Sequence, residues 1–156
     1  MNPQEQKTLE VIRAHRLRVF DLMSRLSQEV MRRANQHDES KFGPEELPHY
    51  VATIDEFEQH PYGSDGYRKA KESLGPSLVH HYKHNRHHPE YFDNGIEGMN
   101  LIDLLEMLAD WKSATLNHPK KPGDMGRSLS MGIDRYKISP QLAKILYNTT
   151  RDYEML

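Results

Sequence analysis

Half of the chain's ten histidines lie within one short segment: His80, His81, His84, His87 and His88. There is no cysteine, which excludes disulfides, zinc–thiolate centres and thiol catalysis. Imidazole nitrogen and carboxylate oxygen are then the available metal ligands, and they suit manganese, iron, zinc or magnesium. Other candidates are His15, the pair His37-Asp38, and Asp110 inside an apolar run. If the His-rich segment is helical throughout, His81 and His88 are about two turns apart and share a face, as do His84 and His88. His87 would then point about 100° away from His88. Each feature also has an ordinary reading. A histidine on an apolar stripe, such as His15, is commonly a hydrogen-bonded core residue, and a buried Asp110 could be an ion-pair acid. Five imidazoles so close together make a poor core and a poor solvated face, which leaves a metal centre, a pH-sensitive surface or an adventitious cluster.

Helices must position these groups. Asn2-Pro3 suits a helix start, and Ile12, Val19, Leu22, Leu26 and Val30 carry a helical period to about Asn35. His15 lies in that stripe. A second helix is expected from Pro44 to about Gln59, with Leu47, Val51, Ile54 and Phe57 as its face. Tyr67–Leu74 reads as a short helix or turn, and Ser77–His87 as another helix, closed by Pro89. Asn100 can cap an apolar helix from Leu101 to about Leu116, and Ser139-Pro140 opens the last one. Arg127–Tyr136 gives no decisive period. No segment alternates as a strand would, so the expectation is an all-α compact bundle of about six helices, formed as one domain over the 156 residues.

In order, these residues resemble the HD superfamily of metal-dependent phosphohydrolases. His37-Asp38-Glu39-Ser40-Lys41 is similar to that superfamily's His-Asp-x-x-Lys, and His87-His88-Pro89-Glu90 to the His-His-x-Glu of its two-metal members. The likeness is closer to a compact HD-like family of phage and bacterial proteins without assigned activity. That family shares His-Asp-x-Ser-Lys-Phe, Asn-x-His-His-Pro-Glu-Tyr-Phe and Glu-Met-x-x-Asp-Trp, here residues 37–42, 85–92 and 106–111. The resemblance implies a divalent transition metal, one or two ions, held by His15, His37, Asp38, one or two of His81, His87 and His88, and Asp110. It implies that Asp38 and Lys41 are catalytic, with Lys41 against substrate phosphate. His81 lies closer to His87 than in most two-metal members, so the site holds one ion, or a second with different geometry. Glu106, one turn before Asp110, would orient a ligand imidazole from outside.

The activity implied is hydrolysis of a small nucleotide or other phosphate ester by metal-activated water. The rival readings are an iron-dependent HD-type oxygenase and a non-catalytic, metal-stabilised interaction protein. Arg16 and Tyr91 are further candidates for substrate contact. A loop between residues 112 and 137, with Lys120, Lys121, Arg127 and Arg135, could form a phosphate-facing rim. The chain's 21 basic and 23 acidic residues give a net charge of -2, and residues 38–58 carry seven acids against Lys41 alone. That argues against long nucleic acid as a partner, since a duplex binder needs a broad basic face. The polar N-terminus and the lack of a long apolar run lead to the expectation of a cytoplasmic protein without a leader or membrane span.

Overall fold

The computed structural model describes residues 2–116 and 124–153. All regular structure among them is helical: α1 (Pro3–Gln36), α2 (Leu47–Gln59), α3 (Asp65–Ser73), α4 (Pro76–His84), α5 (Leu101–Leu116), α6 (Met125–Tyr136) and α7 (Pro140–Asp152). Three short 3₁₀ turns supplement them, at Glu39–Phe42, Pro89–Tyr91 and Gly95–Gly98. The helix beyond the expected six is α6, over the stretch whose period was indecisive. None of the helices is long and apolar enough to cross a membrane.

The chain divides into two compact units, residues 1–36 and 37–156. The first is α1. Asn2 caps it, Oδ1 accepting from Glu5 N–H at 2.8 Å while the Glu5 carboxylate accepts from Asn2 N–H at 2.8 Å. That reciprocal arrangement satisfies two donors the helix start leaves open. No residue of α1 is buried, and the expected stripe residues Ile12, Val19, Leu22 and Leu26 are exposed.

In the second unit the core is Leu104, Met107, Leu108 and Trp111 of α5, with Met125 and Leu129 of α6, Leu146 of α7, and Ile96 and Ile138. The α6–α5 contact is close. A Cβ on Gly132 would stand 2.1 Å from the Trp111 ring, so only glycine lets the helix approach. The apolar stripe of α2 does not join this core. Leu47, Val51 and Ile54 are exposed, and the buried residue of that helix is Thr53. The expected start at Pro44 is replaced by Leu47, which puts Pro48 in the first turn, where its missing N–H costs little.

Two features of this unit matter for the histidines. First, α4 ends at His84 and not His87. Asn85 adopts extended angles (φ -120°, ψ 109°), so the chain leaves the helix before the His-His pair. Secondly, the departing segment is tied to α5. Asn100 Oδ1 accepts from the Ile102 and Asp103 N–H groups, and the fully buried Asp103 accepts from Asn100 N–H at 2.9 Å. Arg86 then donates twice to the same Asp103 carboxylate, 3.1 Å each. A bidentate pair of this kind fixes the residue beside His87 in direction as well as distance.

Candidate metal centre

Four segments bring the ligand-type side chains together: the stretch after Gln36, the end of α4, the loop after it, and the middle of α5. Asp38 is in the left-handed region (φ 57°), which aspartate tolerates better than most residues. This conformation lets His37 and Asp38 both turn toward α5 and the His-His pair. Two groups of ligand atoms result, each within 4.8 Å: Asp38, His81, His87 and His88, and His37, Asp38, His87 and Asp110. Asp38 and His87 belong to both.

Two carboxylates, Glu46 buried and Glu106 partly buried, aim the imidazoles. Glu106 Oε1 accepts from His37 Nδ1 at 2.9 Å and from His87 Nδ1 at 3.1 Å. Glu46, with no exposed surface, accepts from His81 Nδ1 at 2.9 Å and from His80 Nδ1 at 2.7 Å. A carboxylate can only accept, so these rings carry a proton on Nδ1. The Nε2 atoms of His37, His81 and His87 then point at Asp38, at 3.4 Å in each case. His37 Nε2 is also 3.7 Å from Asp110 Oδ1. Asn85 supports the arrangement, donating to Ser40 Oγ at 2.7 Å and to the His81 carbonyl at 2.8 Å.

The electrostatics favour a cation. Hydrogen bonds that His37 donates to Asp110, Asp38 and Glu106 push its imidazole up to about 11, against the burial that opposes its charge. A field that holds a proton so firmly at this point would also hold a metal ion there. Burial raises the Asp38 carboxyl, but His37 and Lys41 outweigh it and hold the group well below the usual carboxylate range. Burial, His87, His81 and Lys71 push His88 far down, and burial lowers His81, so both rings stay neutral and able to ligate.

The donor set fits a metal ion. Asp38 Oδ1 and His87 Nε2 are buried with no hydrogen-bond partner among the described residues, an expensive state for polar atoms unless something completes it. Ligand bonds of about 2.1 Å place neighbouring donors roughly 3.0–3.4 Å apart. The Nε2-to-Asp38 separations, and the 2.9 Å between His81 and His88 Nε2, match that spacing.

His37, Asp38, His81, His87, His88 and Asp110 thus come together, although not through helical periodicity. His84 turns away: it stacks on His80, and its Nδ1 donates to the His80 carbonyl at 2.8 Å. His15 and Arg16 are exposed on α1, and neither ligand group includes them. Tyr91 lies against Arg86, 5.2 Å from its guanidinium, and Phe92. Lys41 pairs with Asp38 Oδ2 and lies 5.1 Å from the centre of the Tyr50 ring. Of the basic rim, Lys120 and Lys121 fall outside the described residues, and Arg135 pairs with Glu90. Glu106 is in the orienting position expected of it. Glu46 was not foreseen, because in the sequence it is one acid of a run.

A cavity of about 620 Å³ opens beside the centre, with His81, His88, Asp110 and Lys41 in its wall. Residues 4–152 match DUF5662, a family of unknown function, and the chain belongs to that family. Comparison with curated proteins gives no match, and neither does comparison with solved structures.

Proposed function

We propose that this DUF5662 chain is a metal-dependent phosphohydrolase acting on a small phosphate ester, nucleotides included. One observation carries the reading. Three imidazoles, each fixed through Nδ1 by a carboxylate, converge through Nε2 on Asp38, beside a cavity of substrate size. The likeness of residues 37–42, 85–92 and 106–111 to HD phosphohydrolase motifs supports the same chemistry.

A divalent ion in such a site makes water acidic enough to attack at neutral pH and polarises a phosphoryl oxygen. The remaining work falls to the chain. His37, Asp38, His87 and Asp110 would hold one ion, and Asp38, His81, His87 and His88 a second; Asp38 could serve both through its two oxygens, whereas His87, with one lone pair on Nε2, could serve only one at a time. Glu46 and Glu106 keep the rings in orientation and in the ligating tautomer. The tyrosine-rich cavity receives the ester and limits its size. The acidic run between residues 38 and 58 repels long polyanions, which favours a small substrate.

The test is phosphate release from a panel of nucleotides and simple esters with manganese. Asp38→Asn suits it, because asparagine tolerates the left-handed backbone while losing the charge. The variant should keep its helix content, lose bound metal, and lose turnover by more than about 100-fold, beyond the range of outer-shell changes. Absence of both bound metal and turnover in the wild-type protein would refute the proposal. Oxygen consumption with iron, without phosphate release, would replace it with the oxygenase reading.

A further inference from the structure

Beyond the ligand groups the cavity wall carries a set of aromatic rings, Tyr50, Phe57, Tyr62, Tyr67 and Tyr82, among aliphatic side chains and one acid, Glu58. Tyr67 is set by edge contacts, its ring centre 5.1 Å from both Phe57 and Tyr62. Burial raises the hydroxyls of Tyr50, Tyr62 and Tyr67, so these three stay uncharged at neutral pH. The volume of about 620 Å³ falls within the roughly 300–1,000 Å³ of small-molecule sites.

Two ammonium groups line the same cavity, and they are not equivalent. Lys41 is already paired with Asp38. Lys71, on α3, lies 5.4 Å from the centre of the Tyr82 ring, half-buried, and no carboxylate among the described residues pairs with it. An unpaired cation held on an aromatic face beside a cavity is ready for an anion.

We infer that Lys71 holds the anionic group of the substrate while the tyrosine wall takes a flat aromatic body, so that the substrate class is a phosphate ester of an aromatic or nucleoside-like group. The inference rests on the phosphohydrolase reading of the same site. It moves the phosphate-binding role from Lys41, where the sequence motif puts it, to a lysine outside every motif. Lys41 instead balances the charge of Asp38.

Calorimetric titration of the full-length protein, metal-stripped and manganese-charged, with phenyl phosphate and with ethyl phosphate tests this. Wild type should bind phenyl phosphate about ten-fold more tightly than ethyl phosphate, the ring contact making the difference. Lys71→Met should weaken both by about ten-fold or more, and Lys71→Arg should restore most of the loss. Lys83→Met, at an exposed position of α4, should change nothing. The inference is overturned if Lys71→Met binds phenyl phosphate as wild type does, if the two esters bind equally, or if neither binds in either form. Manganese uptake in the same samples separates the two claims. Lys71-dependent binding without manganese uptake sinks the metal centre alone. Manganese uptake with Lys71-independent binding sinks this inference alone.

Discussion

His37 and His87, from distant parts of the chain, lie with ring centres 4.4 Å apart and direct Nδ1 to the same oxygen of Glu106. One carboxylate therefore fixes the tautomer and direction of two rings, one of which is shared between both ligand groups. Glu46 does the same for His80 and His81 on the other side. The centre is organised from outside by two acids that touch no prospective ion themselves.

This arrangement predicts the behaviour of Glu106→Gln. The amide oxygen can still face both rings, but the charge that strengthens both hydrogen bonds is lost, and an N–H₂ donor replaces the second carboxylate oxygen. Manganese affinity should fall about 10–100-fold, with circular dichroism unchanged. Glu46→Gln should weaken the His81 side similarly. Unaltered affinity in both variants would mean that the carboxylates serve packing alone.

The cavity wall has a pH signature. Burial, with a smaller contribution from Asp110, pushes Tyr62 from its ordinary value of 10.0 up to about 12. A raised tyrosine pKa means that the folded state binds the proton more tightly than the unfolded state does. The associated stability is complete below pH 10 and is lost as the pH rises from 10 toward 12. Tyr62→Phe should flatten the fall of the unfolding midpoint across that window. It should also remove a tyrosinate absorbance step near pH 12. An unchanged slope would show that Tyr62 is as solvated as an ordinary surface tyrosine.

The α5–α6 contact gives a prediction for the frame that holds Glu106 and Asp110. Gly132→Ala drives a methyl group into the Trp111 ring. Overpacking of this kind costs about 1–3 kcal/mol, and for a domain of this size each kcal/mol lowers the melting temperature by about 2–4 °C. Trp111 emission should shift with the melting temperature. An unchanged melting temperature would mean that the two helices separate without penalty.

Much of this was readable in the sequence, and the remainder was not for identifiable reasons. The bounds of α5 follow from Asn100 and the apolar run, and the start of α7 from Ser139-Pro140, because caps and prolines act locally. The ligand types could be read from composition and motif. Their geometry could not: helical reasoning paired His84 with His88, whereas α4 stops at His84 and the loop brings His88 to His81. Glu46 and Lys71 have no local signature, since burial and the lack of an ion-pair partner are properties of the packed chain. The stripe on α1 and that on α2 share the period of core helices, yet their residues are largely exposed. Periodicity records which residues share a face, but does not record what that face meets.

The central claim is that Asp38 and His87 complete their coordination with a divalent cation. Anomalous diffraction from crystals of the manganese-charged protein tests it most directly. The account predicts a peak within about 2.0–2.3 Å of a carboxylate oxygen of Asp38 and of His87 Nε2, with the Nδ1 atoms of His37 and His87 still on Glu106. A second peak, if present, should lie on the His81–His88 side. Full manganese exposure with no peak at Asp38, or with the ion bound only at other residues, would contradict it.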